Sequence, residues 1–194
     1  MEKRIPSQTL SAASQLVLHH LPDLRRAAGL GPVVDLACGR GRNALAMAAA
    51  GVPVLGVDRH PGHLAELRAA ARERGLAVAA VRADLESAPH PPLAPGRCGA
   101  VVVCRYLHRP LAPRIAGLLA PGGWLLYETF TVHQRDLGYG PSNPAFLLEP
   151  GELATLFPGL ETAEHWEGTS DEARPAALAR LAARRPPGAR QAPS

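Results

Sequence analysis

The stretch Val33-Val34-Asp35-Leu36-Ala37-Cys38-Gly39-Arg40-Gly41, running on into Arg42-Asn43-Ala44-Leu45, decides the fold. A short apolar run ends in a turn of small residues. A helical stretch over 43–50 then starts at once and stops at Gly51. The same figure follows twice more. An apolar run over 53–57 ends at Asp58, and a helical stretch over 61–74 opens on Pro61, carries Leu64 and Leu67 on its apolar side and closes at Gly75. The apolar run over 76–81 then leads to Asp84. Strand-helix-strand repetition with short turns predicts an α/β fold, an open Rossmann-like and mostly parallel sheet with right-handed crossovers. Ligands of such sheets bind beyond the carboxyl ends of the strands, so the residues just after each strand carry the functional reading.

Outward from this core the pattern is looser. Residues 7–20 read as a helix that Pro22 ends or bends. Residues 87–96, SAPHPPLAPG, hold too many prolines for a helix or an interior strand and read as a surface connection. The run over 100–104 reads as a strand buried on both faces. A short helix over 111–119 precedes Pro121-Gly122-Gly123, a strand over 124–130 follows, and the loop over 131–143, rich in Gly, Pro and Asn, reads as a substrate lid. One or two helical turns over 150–156 and regular elements over 160–166 and 176–183 complete the chain. A chain of 194 residues holds one core and not two. It divides into an N-terminal helical segment over 1–30 above the site, one ligand-binding domain over 31–185 and a disordered tail over 186–194.

Bulk properties exclude more than they select. The three cysteines have no paired spacing, which argues against a disulfide framework or a zinc knuckle and leaves no metal site to predict. No apolar run nears the roughly 20 residues of a membrane helix, and no signal core follows the N-terminus, so a cytoplasmic protein without a membrane partner is the default. The net charge of +4 gathers towards the end, in Arg174, Arg180, Arg184, Arg185 and Arg190. Such a patch reads as a solvated end, with nucleic acid as the other partner it would suit.

Three acidic residues mark three strand ends. Small residues after the first strand let backbone amides approach a ligand in front of a helix N-terminus. Asp58 closes the second strand, where a carboxylate accepts from the ribose hydroxyls of a nucleoside cofactor; it reads equally as a helix cap before Pro61. Asp84, after the third, either accepts from an adenine amine or is a loop aspartate. Asp35, inside the first strand, separates two cofactor classes. A diphosphate repels a nearby carboxylate, which disfavours a NAD-binding oxidoreductase. A sulfonium cofactor ending in an amino acid welcomes it through its ammonium group.

With these residues in place, VVDLACGRGRNALAMAAAG resembles motif I of class I S-adenosylmethionine (SAM) dependent methyltransferases, and VLGVD resembles their second strand end. CRYLHRPL and YETFTVHQ with GPSNPAFLLEPGEL resemble a bacterial group related to the tellurite-resistance and thiopurine methyltransferases; together the motifs span residues 33–156. The resemblance implies a seven-stranded sheet in the order 3-2-1-4-5-7-6, last strand antiparallel, with helices on both faces. Residues 176–183 would be that last strand, although their alanines also suit a helix. SAM would be the cofactor and S-adenosylhomocysteine the product. By resemblance, Asp35, Ala37, Cys38, Gly39 and Gly41 would line the methionine part, with Asn43 starting the helix beneath. Asp58 would hold the ribose with Arg59 beside the adenine, Asp84 and Leu85 would meet the adenine, and Cys104 and Arg105 would close over the cofactor near the methyl group. Two departures stand out: many members carry Phe-Asp where this chain has Cys98-Gly99, and the helix usual between strands three and four gives way to the proline-rich connection.

Methyl transfer from a sulfonium is an in-line displacement that asks mainly for positioning; an amine or hydroxyl acceptor also asks for a general base. Tyr106, His108 and His133 are the catalytic candidates, with Glu128 undecided between the pocket and the sheet surface and His19 and His20 behind them. Tyr139 and Asn143 offer lid contacts. No Asn/Asp-Pro-Pro-Tyr/Phe motif is present and no RNA-binding module is visible. A small-molecule acceptor is therefore the leading reading. RNA or protein methylation and SAM binding without catalysis stand as alternatives.

Overall fold

Two short helices open the described part of the chain, which in this computed structural model comprises residues 13–87 and 93–188. They are α1 (Gln15–His19) and α2 (Leu21–Ala27). The first part of the expected helix, residues 7–12, lies outside the described residues. The helix breaks just before Pro22, where it was expected to end or bend: α1 stops at His19 and Pro22 belongs to the next helix. The proline sits in the first turn of α2, where its missing N–H forfeits no helical bond.

The alternation read from the sequence follows: β1 (Val33–Leu36), α3 (Arg42–Ala49), β2 (Val54–Asp58), α4 (Pro61–Glu73) and β3 (Val78–Arg82). Then come β4 (Cys98–Cys104), α5 (Ala112–Leu118), β5 (Leu119–Phe130), α6 (Glu152–Thr155), β6 (Glu161–Thr169) and β7 (Ala177–Arg184). The seven strands form one sheet in the order β3-β2-β1-β4-β5-β7-β6. The first five pair in parallel, and β7 runs antiparallel to both β5 and β6. This is the fold that the resemblance implies. The alanines of β7 suit a strand because it is flanked on both sides: Ala177, Ala179, Ala182 and Ala183 are all buried.

Period-two alternation divides the core between the two faces of the sheet. Val101 and Val103 of β4 join Val34, Leu36, Leu125, Ile115 and Tyr127 on one face. Ala100, Val102 and Cys104 join Val33, Leu126, Leu45, Met47 and Leu67 on the other, together with Leu16, Val17 and Leu24 from the N-terminal helices. Those helices thus share the core of the sheet.

Two local findings amend the sequence reading. β5 begins at Leu119 and runs through Pro121-Gly122-Gly123, so the strand starts before the expected residue 124. Gly99, one of the two departures from the resemblance, has no room for a side chain. A Cβ there would lie 1.9 Å from the Ala27 carbonyl oxygen at the end of α2. In the proline-rich connection, residues 88–92 lie outside the described residues, and residues 93–97 form no helix.

Candidate active site

The loop after β1 is built on backbone that L-residues rarely adopt. Ala37 has φ 53°, and the only other such non-glycine residue among those described is Arg105, φ 59°, at the end of β4. Each such conformation costs on the order of 1–3 kcal/mol and persists where surrounding structure enforces it. The two glycines of the loop serve different ends. A Cβ on Gly39 would meet nothing within 4 Å, so open space lies over that residue. A Cβ on Gly41 would lie 2.2 Å from Leu67 Cδ1, so the glycine lets the start of α3 pack closely against α4. Cys38 also differs from the expectation. Its side chain packs with Leu67 in the core, burial pushes its thiol pKa up, and only its backbone faces the loop, with the N–H bonded to the Val57 carbonyl at 3.0 Å.

Asp58 braces this loop. One carboxylate oxygen accepts the Gly39 N–H and the other the His60 N–H, both at 2.8 Å. The helix cap of α4 is not Asp58 but the His60 ring, which accepts the His63 N–H. Asp35 is fully buried at the end of β1. Burial pushes its pKa up to about 7; the Asp58 carboxylate adds to this, while the Ala44 N–H and Arg42 oppose it. Its Oδ2 has no hydrogen-bond partner among the described residues.

Asp84, Arg59 and Tyr106 gather beyond β3. The Glu86 N–H, donated at 3.0 Å, holds the Asp84 carboxyl below its usual range. Burial and the Glu86 and Asp84 carboxylates push the Tyr106 phenol up, while Arg59 opposes them. Leu85, expected at an adenine, turns its side chain into the core.

A second group of polar residues crosses the sheet at the ends of β4, β5 and β7. Cys104, Glu128 and Arg180 are partners in register, and with Asp35 they share the face that α1 and α3 cover. Glu128, undecided in the sequence, is fully buried on that face. It accepts from Ser14 Oγ at 2.8 Å, Arg180 Nε at 2.9 Å and Arg105 Nε at 3.2 Å, with Arg42 Nη2 at 4.0 Å. Asn43 does more than start α3: its Oδ1 accepts the Ser14 N–H at 2.9 Å and holds the N-terminal segment down. Sequence reasoning missed Ser14, because nothing local marks a serine in that stretch. Burial and the Glu128 and Asp35 carboxylates push the Cys104 thiol well above its usual range, so it sits inert in the core.

Above this group lies a cavity of about 350 Å³, walled by Arg42, Arg105, Phe130, Tyr139, Glu172 and Arg174 among others. The expected lid contributes Gln134, Tyr139 and Gly140. Asn143 does not; its side chain caps a turn at Ala145. Neither His108 nor His133 lines the cavity, and Tyr106 stands on the Asp84 side. The His133 side chain is 66% exposed and lies 3.6 Å from Asp136. His19 is exposed, and His20 is a buried clasp between Asp23 and Glu164, at 2.9 and 3.1 Å. The basic end of the chain is likewise no free arm. Arg180 sits on Glu128, Arg174 stacks on Tyr139, and Arg184 and Arg185 bond to the Gly122 and Leu119 carbonyls. Arg190 lies outside the described residues.

Comparison with known proteins bears on the fold and on the domain family. The methyltransferase domain family matches residues 33–123. No curated protein matches the chain in sequence. Among solved structures, a SAM-dependent methyltransferase from Mesorhizobium loti is 21% identical with a TM-score of 0.64, covering 86% of this chain and 97% of its own. TehB from Haemophilus influenzae is 20% identical with a TM-score of 0.65, covering 84% of this chain and 62% of its own, so the tellurite-resistance resemblance meets one of these structures in the fold. Magnesium protoporphyrin IX methyltransferase from Synechocystis, solved with S-adenosylhomocysteine, is 20% identical with a TM-score of 0.64, covering 88% and 82%.

Proposed function

We propose that this chain, whose residues 33–123 are a methyltransferase domain on the class I SAM-dependent fold, binds SAM at the ends of β1, β2 and β3 and methylates a small-molecule acceptor in the adjoining cavity. One observation carries the reading. Arg42 belongs to both halves of the site, since its charge acts on Asp35 and its side chain lines the cavity. The strand ends that would hold a cofactor and the cavity that would hold an acceptor are therefore contiguous.

The residues fit SAM. The unpartnered Oδ2 of Asp35 suits the ammonium of the methionine part, and the open space over Gly39 admits a ligand against the backbone. Asp58 already accepts two N–H groups, and its remaining lone pairs suit the ribose hydroxyls. Asp84 and Arg59 stand at the end of β3 for the adenine edge. When bound, SAM supplies a methyl group on a sulfonium that departs as S-adenosylhomocysteine.

The chain's own part is placement and the exclusion of water. Alignment of this kind contributes about 7–11 kcal/mol in favourable cases. Among the described residues no histidine lines the cavity, which favours an acceptor that enters as an anion or a soft nucleophile. A cytoplasmic setting accords with Cys38, Cys98 and Cys104, all free and buried. Among the described residues no helix is long and apolar enough to cross a membrane.

The test uses methyl-labelled SAM, the purified chain and a cell extract separated into small molecules, RNA and protein. Label in the small-molecule fraction is the expected result. Label confined to RNA or protein would overturn the reading of the acceptor.

A further inference from the structure

We infer that the acceptor carries a carboxylate, and that the cavity at the ends of β4, β5 and β7 is built to hold it. This rests on the small-molecule reading above and narrows it. The first argument is charge. Among the described lining residues, Arg42, Arg105 and Arg174 stand with a single acid, Glu172, an excess of two positive charges. Arg180 and Glu128 beneath them cancel each other. Ionised Asp35, which Arg42 also feels, lowers the excess to one without removing it.

The second argument is what the wall has left to offer. Its neutral polar groups are already engaged. Gln134 donates to the Tyr139 carbonyl at 2.8 Å and accepts the Ala177 N–H at 2.9 Å, and the Tyr139 hydroxyl donates to the Pro175 carbonyl. Among the described lining side chains, donors for a ligand come from guanidinium groups. A neutral polar acceptor would take single hydrogen bonds there and leave the charge unmatched, whereas a carboxylate fits the planar fork and its charge.

The third argument is that the structure shows a carboxylate seated on one of these guanidinium groups. Both oxygens of Glu172 meet Arg105 Nη2, at 2.9 and 3.1 Å. Arg105 is held ready for it: Glu128 grips its Nε from below and Phe130 lies under its guanidinium, 4.8 Å from ring centre to Cζ. Arg174 is stacked in the same way on Tyr139 at 4.1 Å. Two guanidiniums with restricted freedom beside a cavity of about 350 Å³ match a small organic acid. Glu172 competes with that acid for Arg105.

This competition makes the test specific. Calorimetric titrations of the chain saturated with S-adenosylhomocysteine would use acetate, pyruvate, benzoate and 4-hydroxybenzoate, each against its amide. At least one carboxylate should bind about tenfold or more tighter than its amide, the loss that follows when a charge-assisted bond is removed. Arg174→Gln, an exposed position, should weaken that carboxylate by a similar factor. Glu172→Gln should tighten it several-fold, an effect that a merely structural role for Glu172 would not produce. Equal binding of acid and amide, no binding of any acid, or weaker binding in Glu172→Gln would overturn the inference. So would an RNA oligonucleotide that binds more tightly than every acid and loses affinity in Arg174→Gln. These outcomes are independent of the labelling experiment: label on small molecules with no acid-amide difference defeats the carboxylate alone, and label on RNA or protein defeats the small-molecule reading.

Discussion

At the residue scale, Asp35 joins the two things a site residue can do, shaping binding and lowering stability. Its folded pKa of about 7 stands above the ordinary 3.8 because burial penalises the charge. Below 3.8 the carboxyl is neutral in both folded and unfolded chains. Between 3.8 and 7 the unfolded chain ionises while the folded chain keeps the proton, so stability falls as pH rises, by at most about 1.4 kcal/mol per pH unit. Above 7 the loss is complete. Asp35→Asn has no such proton. Urea denaturation of both proteins without cofactor should show the native chain losing stability relative to the variant from pH 4.5 to 7, then no further; a constant difference would mean that Asp35 is ionised throughout. Its place in the first strand was legible in the sequence. The direction of neighbouring side chains was not. Cys38 and Leu85 sit at the expected backbone positions, yet their side chains turn into the core, since apolar groups follow burial.

At the element scale, the row Cys104, Glu128 and Arg180 joins β4, β5 and β7, while Ser14 ties the N-terminal segment to it. Period-two spacing put Glu128 on one face of β5 with Leu126, but the sequence alone did not say which face carried the pocket. Nor could it show that Arg174 and Arg180 fold back onto the sheet, because their partners Tyr139 and Glu128 are distant along the chain. Those partnerships set the cost of losing Glu128. Glu128→Ala would leave Arg105 and Arg180 without their shared carboxylate in a largely dry setting. Breaking a buried pair by removing one partner costs about 3–5 kcal/mol. The variant should therefore reach its urea midpoint at markedly lower concentration. A midpoint close to that of the native chain would show that the arginines find water or another partner at little cost.

At the scale of the whole molecule, the order of the sheet was legible only through the resemblance of its motifs. Alanine-rich β7 has no periodicity of its own that separates strand from helix, and tertiary pairing on both edges decides it. That order brings the ends of β1, β2 and β3 together on one side of the cavity, and so links cofactor binding to global stability. A ligand that binds only the folded chain adds about 2.7 kcal/mol at 100 times its dissociation constant. For a chain of this length that is a rise of roughly 5–11 °C in melting temperature. S-adenosylhomocysteine at that excess should produce it and NAD should not. The distinction would lie in Asp35, whose carboxylate attracts an ammonium and repels a diphosphate. Asp35→Asn should accordingly shrink the shift with S-adenosylhomocysteine while leaving NAD without effect. A melting temperature that rises with NAD, or that ignores S-adenosylhomocysteine, would show that the three strand-end carboxylates serve another ligand.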